Sequence, residues 1–185
     1  YRAVVGHELA HLGIALGVAR HWQDGLGGVA VLTQGGDLVV ERGSQGVLQR
    51  AGTQDDPDGE ASLASGKRLI DAVVADVRAR PTETRPKLLV MGESLGTRAG
   101  EGAFTGLSDI RSEVDGVVWL GPPRANPLHS AITERRDLGT PEVLPTYTDG
   151  LIVRFTDGQR PLTGEDGSGG AEWLTPHIVY VQHPS

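Results

Sequence analysis

Two clusters in this sequence hold residue types that could do chemistry. The first is Gly92-Glu93-Ser94-Leu95-Gly96, a G-x-S-x-G. A serine between two glycines can stand on a strained turn with its hydroxyl in the open, and the amide of the next residue can face a developing oxyanion. That spacing makes Ser94 the candidate nucleophile and the Leu95 amide a candidate oxyanion donor, for acyl chemistry on an ester, thioester or amide. The second cluster is His7-Glu8-Leu9-Ala10-His11, an H-E-x-x-H. On a helix His7 and His11 share one face and can both reach a zinc ion, with Glu8 as general base on a bound water. A third ligand stands in no recognisable motif: His21 is too far along the helix, and Asp24, Asp37 and Glu41 are isolated acids. The bland reading of this second cluster is a helix carrying two solvated histidines. The serine chemistry needs no cofactor, and zinc belongs to the alternative alone.

Position decides between a string match and a site, since 27 glycines make a chance G-x-S-x-G common. Pro86 and Lys87 are followed by Leu88-Leu89-Val90-Met91, too short a run for a helix and without alternation. That is the pattern of a parallel strand buried on both faces. It leads straight into the motif, and a helix-compatible stretch follows over 97–104, so strand, sharp turn and helix form a nucleophile elbow. A second oxyanion donor is expected from residues 42–46, after a short strand at 38–40.

The elements around it alternate. Residues 1–22 have helical apolar spacing weakened by Gly6, Gly13 and Gly17, and 28–32 and 38–40 are short strands joined either as a hairpin or separately. Leu69, Ile70, Val73, Val74 and Val77 repeat at helical spacing, predicting an amphipathic helix over 61–80 with Asp71, Asp76, Arg78 and Arg80 towards water. Strands are predicted at 117–120, 151–155 and 178–181, with a mobile glycine-rich acidic loop over 156–170. The sum is one α/β domain over 1–185, a mostly parallel sheet flanked by helices.

Composition narrows the partners. A net charge of −7 without a basic block argues against nucleic acid and against anionic membrane. The absence of cysteine removes disulfides and thiolate metal sites. No apolar run approaches the roughly 20 residues of a membrane-spanning helix. A start at Tyr1 and an end just behind a strand lead us to expect a piece of a longer protein.

Several stretches in order also resemble a known family. They are Pro86 through Gly96, Asp115-Gly116-Val117-Val118-Trp119-Leu120-Gly121-Pro122-Pro123, Asn126-Pro127-Leu128, Arg135-Arg136-Asp137-Leu138-Gly139-Thr140-Pro141-Glu142, Leu144-Pro145, Val153-Arg154-Phe155 and Val179-Tyr180-Val181-Gln182-His183. Together they resemble bacterial membrane-associated α/β-hydrolases whose catalytic domain follows a membrane-spanning part. The likeness covers residues 60–185 and is weak over 1–59. It implies an α/β-hydrolase fold, a serine nucleophile at Ser94, a small-molecule or lipid-like acyl substrate, and membrane contact only through segments outside this chain. In such folds the acid and then the histidine follow the serine. His129 and His177 are poorly placed for a base, whereas His183 is at the end of a late strand on the correct rim. The family pattern puts the acid and base past Ser185, so the fold is expected to be incomplete. A third reading follows: a catalytically incomplete fragment.

Overall fold

The computed structural model describes residues 29–33, 38–41, 60–160, 162 and 172–182. Residues 1–28, with His7, Glu8 and His11, lie outside the described residues, as do 42–59, most of the 161–171 loop and His183.

Behind Pro86 the apolar run forms a strand, as its composition predicts, and extends through the first half of the motif. The strands are β1 (Val29–Thr33), β2 (Leu38–Glu41), β3 (Leu88–Glu93), β4 (Gly116–Leu120), β5 (Val153–Thr156) and β6 (His177–Val181). The helices among the described residues are α1 (Glu60–Ala79), α2 (Leu95–Glu101), α3 (Leu107–Glu113) and α4 (Pro127–Glu134). They build one sheet in the order β2-β1-β3-β4-β6-β5. β3, β4, β6 and β5 run parallel, while β1 pairs antiparallel with both β2 and β3. The two early strands are therefore antiparallel neighbours, which settles the choice left open by their turn residues.

Alternation divides the parallel strands between two cores. Leu88, Val90, Val117, Trp119, Ile178 and Tyr180 face one side, together with Ile70, Val73, Val74 and Val77 of α1, Ile110 of α3 and Ile132 of α4. Met91, Val118, Leu120, Val179 and Val181 face the other, against Leu162 and Trp173. Burial on both faces explains why these strands read as unbroken apolar runs. The register of β3 on β4 is stapled at its start. The Leu88 amide donates to the Asp115 carboxylate at 2.8 Å, and the Asp115 amide returns a bond to the Leu88 carbonyl at 2.8 Å.

One strand is shorter than its sequence suggests. Leu151 and Ile152 precede β5 rather than belong to it, because Thr148, Asp149 and Gly150 turn with positive φ immediately before them. That turn is held from upstream: the Thr148 and Asp149 amides donate to the Asp137 carboxylate at 2.9 and 2.8 Å. The loop after β5 also begins in order, with the Gln159 and Arg160 amides bonded to the Asp157 carboxylate at 2.8 Å each.

Helix α1 lies against α2 at glycine. A β-carbon on Gly66 would stand 2.1 Å from the Ala99 carbonyl oxygen and 2.6 Å from its carbon, and backbone cannot yield as a flexible side chain can. Helix propensity alone favours alanine over glycine by about 1 kcal/mol, but overpacking costs typically about 1–3 kcal/mol and occasionally more. Gly66→Ala is expected to lower the urea midpoint with an unchanged denaturant slope. A raised midpoint would mean that the two helices are not in backbone contact.

Candidate active site

Ser94 stands between β3 and α2 with φ 51° and ψ −121°, a region sparsely populated by residues with a β-carbon. It is exposed, while Gly96 and Thr97 immediately beyond it are buried. The turn closes only over glycine: a β-carbon at Gly92 would lie 2.7 Å from the Gly96 carbonyl oxygen and 2.9 Å from the Thr97 α-carbon. Leu95 is the first residue of α2, where an amide has no acceptor within the helix.

Strand register places Ser94 on a shared rim. Glu93 is beside Leu120, Leu120 beside Val181, and Val181 beside Thr156. The residues that follow, Ser94, Gly121, Gln182 and Asp157, therefore line up at the carboxyl ends of the parallel strands, where open α/β sheets bind ligands. Backbone bonds continue the ladder there: Ser94 amide to Leu120 carbonyl at 2.9 Å, Gly121 amide to Val181 carbonyl at 2.8 Å, and Gln182 amide to Thr156 carbonyl at 2.8 Å. Gly121 has φ +57°, and among the described residues a β-carbon there would meet nothing within 4 Å.

Beneath the rim is a buried polar cluster that sequence reasoning missed. Glu101, at the end of α2, is 2% exposed. One carboxylate oxygen accepts from the Leu128 and His129 amides at 3.1 and 3.2 Å, and the other from the Tyr180 hydroxyl at 3.1 Å. It thus caps the first turn of α4 from a different helix. Burial pushes its pKa up to about 7 against these donors, which favour the charged form. Burial, then the neighbouring Glu101, holds the Tyr180 phenol well above its usual range. Further up, Thr97 donates its hydroxyl to the Ser94 carbonyl at 2.6 Å and accepts from the Asn126 side-chain amide at 2.8 Å. The only sequence signals were Asn126-Pro127, a helix-start pair, and a lone acid in the small-residue run Ala99-Gly100-Glu101-Gly102.

Among the described histidines, His177 begins β6 at the opposite end of the sheet, stacked on Trp173 at 4.2 Å, with burial lowering its pKa. His129 is buried on α4, its Nε2 at 2.5 Å from Gln182 Nε2 and its ring against the stacked pair Phe155 and Tyr180; burial lowers its pKa too. The geometry thus brings Ser94 and Leu95 together at the rim, while His183 and the H-E-x-x-H residues His7, Glu8 and His11 lie outside the described residues. Among the described residues no group of three His, Asp or Glu side chains could hold a metal.

The sequence of an alpha/beta-hydrolase family matches residues 56–185, more than half of the chain. No curated protein and no solved structure matches it.

Glu101 makes stability depend on pH in a signed way. A carboxyl whose folded pKa is raised from 4.5 to about 7 binds its proton more tightly folded than unfolded, so its contribution declines as pH rises through that window. His129 acts in the opposite sense, being buried in its neutral form. Comparing wild type with Glu101→Gln isolates the carboxyl. Between about pH 5 and about pH 8 the unfolding free-energy difference should shift against wild type by on the order of 2–3 kcal/mol. A difference flat in pH would mean that the donors hold Glu101 ionised throughout.

Proposed function

The chain belongs to this alpha/beta-hydrolase family, and from that premise we propose that it is a serine hydrolase or acyl transferase with Ser94 as nucleophile. The reading rests on one observation above all: an exposed serine at positive φ, between a parallel strand and a helix, on the carboxyl rim of the sheet. The Ser94 hydroxyl would attack the carbonyl carbon of an ester, thioester or amide, the tetrahedral adduct would collapse with loss of the protonated leaving group, and water or another acceptor would then cleave the acyl-enzyme left behind. The tetrahedral oxygen formed on the way would be met by the Leu95 amide at the head of α2. The second donor would come from residues 42–46.

A base must take the serine proton and give it to the leaving group. His129 has its Nε2 against Gln182, and His177 lies at the far end of β6. From the order serine, acid, histidine of such folds we take the proposed base to come from the chain that follows β6, where His183 is the first imidazole. The substrate is a small or lipid-like acyl compound, a class suited to an open rim lined by Gly121 and two half-buried prolines, Pro122 and Pro123.

Labelling with a fluorophosphonate tests the assignment. The wild-type chain should be labelled, and Ser94→Ala should lose the label completely. Undiminished labelling of that variant would remove Ser94 from the mechanism. In the same assay His183→Ala should slow labelling by on the order of 10²–10⁴, the usual weight of general acid–base assistance. An unchanged rate would take His183 out of the reading and leave Ser94 in it.

A further inference from the structure

We propose that Thr97 and Asn126 are positioning residues which aim the Leu95 amide at the reacting oxygen. The proposal deepens the reading of Ser94 as nucleophile. It begins from a residue used against its type. Asn126 is the N-cap of α4, where an asparagine side chain ordinarily bonds an amide of the first turn. Here it makes no cap bond, because Glu101 has taken the Leu128 and His129 amides. Its side-chain amide reaches back instead to Thr97 Oγ1 at 2.8 Å.

The bond polarity is fixed along this path. Asn126 Nδ2 can only donate, so Thr97 Oγ1 accepts, and its single proton is free for the Ser94 carbonyl oxygen at 2.6 Å. That oxygen also accepts from the Thr97 amide at 2.9 Å. Both side chains are fully buried, so water does not compete for these bonds. Asn126 is itself held by its own amide, which donates to the Pro123 carbonyl at 3.1 Å in the loop after β4.

The consequence follows from peptide geometry. The Ser94 carbonyl and the Leu95 amide belong to one planar unit, so fixing the direction of one fixes the other. Thr97 holds the carbonyl end from the buried side, and the amide end is thereby pointed outward beside the Ser94 hydroxyl. Without that hold the strained ψ of −121° has a lower-energy direction in which to relax, and the amide would turn with it. The expected loss is in the chemical step, not in binding.

The test uses the full chain and four variants: Thr97→Val, Thr97→Ser, Asn126→Ala and Ser94→Ala. Fluorophosphonate inactivation separates the limiting rate constant from the concentration giving half that rate. Thr97→Val and Asn126→Ala should lower the rate constant about ten- to a hundredfold with the half-saturating concentration unchanged, and Thr97→Ser should restore it. Hydrogen exchange reads the same restraint without any reaction. In Thr97→Val and Asn126→Ala the Ser94 and Thr97 amides should exchange about tenfold faster, while the Val118 amide of β4 keeps wild-type protection. Unchanged exchange at Ser94 and Thr97 overturns the proposal, as does a uniform loss across the sheet or a failure of Thr97→Ser to rescue. Absence of labelling in wild type itself counts against Ser94 as nucleophile, and the exchange result then decides on Thr97 and Asn126 alone.

Discussion

Ser94 holds a backbone conformation that costs on the order of 1–3 kcal/mol for a residue with a β-carbon, and it persists only because the elements on both sides are locked. On one side β3 is bonded into the sheet between β1 and β4. On the other, α2 has seven residues, too few to be stable as a helix by itself. Its position is set by close contacts at glycine instead. Gly66 of α1 meets the Ala99 backbone, Gly100 lies under the Trp119 ring, and a β-carbon at Gly102 would reach Leu63 at 2.4 Å. The long helix thus clamps the short one, and the short one closes the turn. Strain at a single exposed residue is sustained by packing spread over three elements.

The same short helix carries a buried acid, Glu101. A buried carboxylate must be paired or neutralised, and the groups that donate to Glu101 are neutral: the Leu128 and His129 backbone amides, the Tyr180 phenol and the Asn126 side-chain amide. Dipoles from the first turn of α4 add to them. Desolvation still wins by enough to bring the group to about 7, so at neutral pH the charged and protonated forms are close in energy. What the carboxylate gains structurally is a bond between the last turn of α2 and the first turn of α4. An ordinary cap from Asn126 would satisfy the same amides without joining the two helices.

Much of this was legible from residue order, and the limits have physical causes. The buried strands and α1 were readable because burial imposes a period on apolar residues, and Ile70, Val73, Val74 and Val77 are all buried as that period requires. The elbow was readable because its sterics demand glycine at fixed spacing around the serine. The sheet order was not: β6 inserts between β4 and β5, a choice made by tertiary pairing that no local residue records. Leu151 and Ile152 have the composition of a strand, and were misassigned because the turn excluding them is held by Asp137, distant in sequence. Glu101 carries no signal of burial in its local sequence, and it is α4 and Tyr180 of β6, distant in sequence, that supply its partners. Several motifs behind the family likeness, including Asp115 and Asp137, tie down the backbone of neighbouring segments.

The rim geometry constrains how a base can reach the serine. Adjacent strands are about 4.8 Å apart, so the ends of β3 and β6, with β4 between them, are separated by roughly 10 Å. A base must come within about 2.6–3.2 Å of the hydroxyl, so the strand ends do not by themselves bring one close enough. Underneath, Gln182 and His129 engage each other, and Thr97 and Asn126 are bonded to each other behind the turn. Above the end of β4, among the described residues, a β-carbon on Gly121 would meet nothing within 4 Å. The demand on that glycine is its φ of +57°, a conformation that side chains rarely adopt. The proposed base arriving from beyond β6 would cross over Gly121, and the same approach would admit the acyl group that Ser94 attacks.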